Sequence, residues 1–349
     1  MGIQNLFKKC KFEQVNFKEI QEKDGVKVIG VDMYVIFHKF AMDIQIAKQL
    51  VENPKVIILE YYELVKNYLN NFIKEGFELY LIYDGNEMKY KITEEDRANK
   101  RLGCLIKEDW IGAVEIIPDQ MHNFQEYLEK YPIIKNGQPI KIPFTVAPFE
   151  ADAQLAFMYK EGIINAVLTN DSDLIIYGIK NIFMIRQKGI EYYKSNKILI
   201  KEENLDEVEF INDINLEKLW LFGYLIGCDY FKGIPKIGIV KAFKIINHLL
   251  VVKINDKIDW DLTYERLEKN LDYSKNVKAL NEIGKNLKER FDLVRMVYTT
   301  QPIIDPRDFK LKYLNGNEIL ETKRDDFGKV YSEIDISKGL INPITGERF

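Results

Sequence analysis

Three short apolar runs, each closed by an acidic residue, constrain this chain more than any other feature. Val26–Asp32 reads VKVIGVD. Glu78–Tyr83 reads ELYLIY and is stopped by Asp84-Gly85. Asn165–Thr169 reads NAVLT and is stopped by Asn170-Asp171. Apolar runs of this length, bounded by turn signals, are buried-strand candidates. Helical patterns lie between them. Val56–Lys74 has apolar residues at helical spacing and ends at Gly76, and Ala147–Tyr159 carries Pro148 near its start, where proline is tolerated. Asn181–Arg186 and Ile190–Tyr193 read as two further strands, and from Leu216 onward the pattern is mainly helical. Strands alternating with helices predict an α/β fold, a central mainly parallel sheet flanked by helices. In open sheets of this kind ligands bind outside the carboxyl ends of the strands. Asp32, Asp84 and Asp171 are therefore predicted to converge on one edge. Taken singly, an aspartate at a strand end is more often a turn former or a helix N-cap.

More acids come in close pairs. Glu150 and Asp152 lie in the first turn of a predicted helix, Asp171 and Asp173 follow a strand, and Asp229 follows the helical run Leu216–Ile226. Their neighbours are strongly apolar, for example Ala153–Met158 and Leu174–Tyr177. Carboxylates crowded in such surroundings repel and shift their pKa unless cations neutralise them. Oxygen-only ligands favour magnesium or manganese. Two such ions about 4 Å apart form the clamp used in phosphodiester hydrolysis.

Composition sets bounds. The chain has 349 residues, 46% of them hydrophobic, enough for a sizeable core. No apolar run reaches the roughly 18 residues of a membrane span, so no membrane role is expected. The start, MGIQNLFKKCKF, has no apolar segment of the secretory kind, and Leu6 stands where a myristoylation signal has Ser or Thr. Cys10, Cys104 and Cys228 form no CxxC pair, which points to a reducing compartment and against a disulfide framework or zinc site. His38, His122 and His248 are too scattered for a metal cluster. There is no internal repeat or linker. The stretch 86–140 stands apart, basic first (Lys89, Lys91, Arg97, Lys100, Arg101) and acidic later. Two helices or a mobile arm fit it, and so does a solvated helical pair. The net charge of −4 argues at first sight against nucleic acid. A whole-chain sum hides local patches, however, and metal ions would offset committed carboxylates.

These residues resemble the flap endonuclease/XPG-type structure-specific 5′ nucleases, and most closely the eukaryotic exonuclease-1 branch. The matching pieces are MGIQ at the start, VIGVDMYVIFHK at Val28–Lys39, IYDG at Ile82–Gly85, APFEADAQLAFM at Ala147–Met158, TNDSDLIIYG at Thr169–Gly178 and GCDYFKGIPKIGIVKA at Gly227–Ala242. They run in family order over about the first 300 residues. The resemblance implies a PIN-like 5′ nuclease fold with a helical arch over the active site. It implies a single nuclease domain, with an N-terminal nuclease region at about 1–100, the arch at about 86–140, and an internal region at about 141–230. A helix–two-turn–helix element at about 216–250 and a C-terminal helical extension at about 251–349 complete it. Asp32, Asp84, Glu150, Asp152, Asp171, Asp173 and Asp229 fall on the family's seven metal-associated acids, implying two Mg2+ ions with Mn2+ as a substitute. All seven being acidic argues against a catalytically inactive scaffold of the same fold. Lys91 and Arg97 match the arch lysine and arginine that position the scissile phosphate. Their spacing is one residue short of the family's, which leaves Lys89 or Arg101 as substitutes.

Gly233, Ile234, Lys236, Ile237 and Gly238 match the hairpin of the helix–two-turn–helix element, where the family shares a K+ ion with the DNA backbone. Tyr34, His38 and Lys39 resemble the family's wedge region, and Gly2 its DNA-contacting N-terminus. Phe37 is as well explained by the core. Asn5 departs from the family's glycine. No sliding-clamp motif of the QxxLxxFF kind and no long basic tail is present, which counts against a replication flap endonuclease. The chain is shorter than the long-tailed exonuclease-1 proteins. The resulting expectation is a monomeric, nuclear, Mg2+-dependent 5′→3′ double-strand DNA exonuclease that also cuts 5′ flaps. It would act on 5′ ends, nicks, gaps or flaps in mismatch repair and recombination, alongside mismatch-repair proteins. A replication flap endonuclease is the nearest alternative.

Overall fold

The computed structural model describes residues 6–7, 10, 12–86, 88, 91–186, 189–194, 199–202, 205–209, 216–249, 259–270 and 287–315. These fall into two compact units, each assembled from separate stretches of chain. The sheet unit comprises Glu13–Asn170, Asn181–Tyr193 and the hairpin that follows Gln301. The helical unit comprises Asp171–Lys180, the stretch Lys194–Gln301 and the residues preceding Glu13.

In the sheet unit the strands are β1 (Glu13–Gln14), β2 (Val28–Asp32), β3 (Glu78–Tyr83), β4 (Ile133–Lys135), β5 (Gln138–Ile140), β6 (Phe144–Val146), β7 (Ala166–Leu168), β8 (Asn181–Arg186) and β9 (Gly189–Lys194). Seven of them form one sheet in the order β1-β9-β8-β7-β2-β3-β6. β2 pairs in parallel with β3 and with β7, β3 with β6, and β7 with β8, whereas the edge pair β1/β9 is antiparallel. The mainly parallel α/β fold expected from the sequence is therefore present. β7 is buried along its whole length and β2 along all but its first residue, as strands covered on both faces must be. The chain runs outward from β2 through β3 to β6, then returns to β7 on the other side of β2. That reversal is a topological switch point, and Asp32 ends the strand at which it occurs.

The helix Leu59–Lys74 buries Tyr61, Tyr62, Val65, Leu69, Phe72 and Ile73 in the core of this unit. Two of its buried phenols are satisfied: Tyr61 donates to the Phe37 carbonyl at 2.9 Å, and Tyr62 donates to Gln120 Oε1 at 2.7 Å. Phe37 is fully buried, which gives it the core role.

The helix predicted from Ala147 begins instead at Ala151. The reason is the hydrogen bonding of the preceding residues. Ala147 N–H extends the sheet to the Tyr83 carbonyl, while the Phe149 and Pro148 carbonyls accept from Gly85 and Asn86. Within 86–140 the structure has the helices Thr93–Ile106, Trp110–Ala113 and Pro118–Lys130, then a β4/β5 hairpin too short to show as a pattern. The mainly helical reading after Leu216 holds for Leu216–Ile226, Ile239–Leu249, Trp260–Asn270 and Leu287–Thr300, but Pro302–Asp305 and Lys310–Tyr313 form another hairpin. No described helix is long and apolar enough to cross a membrane. All three cysteines are free.

Candidate metal centre

The sheet unit presents its acids at strand ends and on the helix packed beside them. Asp32 ends β2 and caps the helix Met33–Phe40, its Oδ1 accepting from Val35 N–H at 3.3 Å. Its Oδ2 accepts from the Thr169 hydroxyl at 2.8 Å. Thr169 stands just after β7, so the two strands at the switch point are joined across their carboxyl ends. The N-cap role is thus real, and a carboxylate oxygen so bonded still has a lone pair for a cation. Asp84 follows β3, and its Oδ1 accepts from Ala151 N–H at 2.6 Å. That bond ties it to the helix Ala151–Lys160, which carries Asp152 and has Glu150 as its N-cap residue. Gly85 permits the approach: a Cβ there would stand 2.0 Å from the Ala147 carbonyl oxygen.

Cations already face this set. Lys91 Nζ is hydrogen-bonded to Glu150 Oε1, and both side chains are mostly buried. Lys91 also pairs with Glu94 at 3.4 Å, and Arg97 Nη1 bonds Glu94 Oε1 at 3.0 Å. Arg101 turns instead to Glu115 at 2.7 Å. Burial raises the Asp84 carboxyl above the ordinary aspartate range, against the Ala151 N–H and the charges of Lys91 and Arg97, which lower it. Tyr34 is pushed up by burial and then by the negative charges of Asp84 and Asp32, which places its phenol in the field of the same acids. Crowding by protein atoms, then Arg101 and Arg97, pushes the His38 imidazole down to about 4, so it is neutral at pH 7. Lys39 reaches the Arg186 carbonyl at 3.5 Å and lies over the Phe40 and Tyr68 rings.

The helical unit holds Asp171, Asp173 and Asp229. Asp171 Oδ1 accepts from Asp173 N–H at 2.9 Å, a local turn that fixes both. Both are buried, at 8% and 4% exposure. Asp173 Oδ2 accepts from the Tyr298 hydroxyl at 2.9 Å. Asp229 lies in a tight turn closed by reciprocal backbone bonds between Cys228 and Phe231. This turn begins the link from the helix Leu216–Ile226 to the helix Ile239–Leu249. Gly233 has φ +79, and a Cβ there would stand 2.6 Å from Gly227 N, so close packing of this link already requires glycine. Gly238, by contrast, faces open space. Lys236 is exposed with a left-handed φ of 64. The Ile234 and Ile237 side chains are buried, and their N–H groups are engaged by Leu225 and Ile234 carbonyls. Gly2 and Lys89 lie outside the described residues.

Among the described residues no three carboxylate, imidazole or thiol groups already stand together as a metal cage. The chemistry of the sheet-unit set nevertheless fits a hard cation. Its donors are oxygens, an ammonium already sits on Glu150, and the Asp84 carboxyl is raised. Three participants had not been anticipated: Thr169, Glu94 and Tyr298. Thr169 lies inside the TNDSD motif and was open to inference, whereas Glu94 and Tyr298 carry no motif signal.

Comparison with known proteins bears on the family. Residues 141–229, which include five of the seven acids, match the XPG I-region. Exonuclease 1 of Arabidopsis thaliana is 27% identical over 361 residues, covering 97% of this chain and 44% of the relative. The DNA damage-inducible protein DIN7 of Saccharomyces cerevisiae is 32% identical over 250 residues, covering 64% of this chain and 54% of the relative. The chain is thus similar to XPG-type 5′ nucleases, and among them to exonuclease 1. It spans about half the length of these curated relatives. The superfamily fold is borne out by flap endonuclease-1 from Methanococcus jannaschii, with a TM-score of 0.52 at 16% identity over 96% of each chain. Nucleases of this flap endonuclease type are generally dependent on divalent metal.

Proposed function

We propose that this chain is a 5′→3′ double-strand DNA exonuclease that also cleaves 5′ flaps, using two Mg2+ ions held by Asp32, Asp84, Glu150, Asp152, Asp171, Asp173 and Asp229. The observation that carries the proposal is the sheet-unit set: acids following parallel strands at a switch point, with Lys91 on Glu150. When bound, the ions acidify the attacking water and stabilise the leaving oxygen. The chain's own residues do the rest. Lys91 and Arg97 hold the scissile phosphate; Arg97 is preferred to Arg101 because it shares Glu94 with Lys91. Lys91, bonded to Glu150 in this structure, would be free to turn to the phosphate if Mg2+ held that carboxylate. Tyr34 stacks on a base beside the cut, while neutral His38 and Lys39 help bend the strands. The hairpin Gly233–Gly238 contacts the DNA backbone, sharing a K+ ion with it. Gly238 and Lys236 are its most accessible contacts, and contacts of this kind read position rather than sequence. Gly2 joins the DNA contacts. The two units work as a single nuclease domain, as a monomer, in nuclear mismatch repair and recombination with mismatch-repair proteins.

The test uses purified protein, Mg2+ and two 5′-labelled substrates, a recessed duplex and a long 5′ flap. Mononucleotide release from the duplex is the expected result. Release of intact flaps alone would reassign the chain to the flap endonuclease type. Undiminished cleavage by Asp173→Ala would overturn the two-ion chemistry.

A further inference from the structure

The helical unit contains a tyrosine that no motif marks and that touches the acid-bearing segments of that unit. Tyr298, in the last turns of the helix Leu287–Thr300, is buried, and its hydroxyl donates to Asp173 Oδ2 at 2.9 Å. Its ring packs against Tyr177 at 4.8 Å and edge-on to Tyr230, the neighbour of Asp229, at 6.2 Å. The hydroxyl also lies close enough to the buried Cys228 thiol to influence it. One side chain thus joins the Asp171–Asp173 turn to the Cys228–Phe231 turn, across 125 residues of sequence from Asp173. A buried carboxylate needs donors or a cation to remain ionised, and a neutral hydroxyl supplies a donor without competing for the charge. Partners that orient a ligand in this way tune metal affinity as strongly as some ligands do.

We propose that Tyr298 is a positioning residue for metal binding: its hydroxyl fixes the Asp173 carboxylate and its ring holds the turn that carries Asp229. This rests on the assignment of Asp173 and Asp229 as Mg2+ ligands. Removing the hydroxyl alone leaves the ring packing intact and releases Asp173 Oδ2. Tyr177 is the internal control, because its hydroxyl sits in the same aromatic cluster but bonds Gln301 Oε1 at 3.0 Å.

The experiment compares wild type, Tyr298→Phe and Tyr177→Phe. Each is titrated with Mg2+ while cleavage of a 5′-labelled recessed duplex is followed, and melting temperature is measured without DNA in EDTA and in Mg2+. Tyr298→Phe is expected to need about ten-fold more Mg2+ for half-maximal cleavage. Its rise in melting temperature on adding Mg2+ should shrink, while Tyr177→Phe titrates like wild type. An unchanged Mg2+ requirement in Tyr298→Phe overturns the inference, even if its melting temperature in EDTA falls, because that combination marks a purely structural tyrosine. Equal shifts in both variants overturn it as well. A wild type with no Mg2+ response in either readout overturns the metal assignment itself, and this inference with it.

Discussion

The acids of the sheet unit and those of the helical unit are the same residue types held by different means. In the sheet unit, Asp32 ends one parallel strand and Asp84 follows another, each accepts a backbone N–H, and Asp84 lies in a field that includes Lys91 and Arg97. In the helical unit, Asp171 and Asp173 brace each other through a backbone turn, and Asp173 is met by a neutral phenol. Strand ends deliver carboxylates by register, so a single local pattern suffices to place them. Past the end of β7, in the turn that carries Asp171 and Asp173, the strand register no longer fixes a side chain. There a distant side chain must complete the geometry, and Tyr298 does so.

The largest effect should come from the acids themselves. Asp32→Ala in one set and Asp173→Ala in the other should each slow Mg2+-dependent cleavage by about 10^3-fold or more, ~4 kcal/mol of transition-state stabilisation. A dispensable member in single-turnover assays would break the equivalence of the sets. Next in size is Lys91→Ala, expected to lower the single-turnover rate by about 10^2-fold while DNA affinity changes far less. An unchanged rate would remove the cation from the sheet-unit set. The two glycines that shape the acid-bearing loops sharpen the comparison further. Gly85→Ala and Gly233→Ala should each reduce stability by roughly 1–3 kcal/mol in urea unfolding, the first by overpacking a carbonyl, the second also by a left-handed φ.

The smallest effect concerns pH. The helix bearing Asp152 is clamped by Gln154, fully buried, whose amide donates to and accepts from the Ile304 backbone at 2.6 and 2.8 Å. Beside it, Asp305 is bonded to Arg307 and Lys312, and those partners hold its carboxyl well below the usual range. A depressed acid contributes stability above its unfolded pKa of about 4 and loses it as pH falls through the folded value. Wild type should therefore lose stability more steeply below about pH 4 than Asp305→Asn. Melting temperatures from pH 2 to 7 check this, and parallel curves would refute it.

Much of this molecule was legible in the sequence. The three apolar runs became β2, β3 and β7, with Asp32 ending β2 and Asp84 just after β3, because alternation and turn chemistry encode burial over a few residues. The start of the helix at Ala151 was not legible, since hydrogen bonds from Gly85 and Asn86 hold Phe149 and Pro148 out of it. Nor were the ion pairs of the two arginines, which look alike on one helix until Glu94 and Glu115 claim them separately. The sequence by itself determined the parallel sheet and the strand-end places of Asp32 and Asp84. Only the tertiary structure decided that Thr169 meets Asp32, Tyr298 meets Asp173 and Gln154 meets Ile304. The physical reason is that burial is patterned locally, whereas the partner of a buried polar group is whichever atom the fold brings within 3 Å of it.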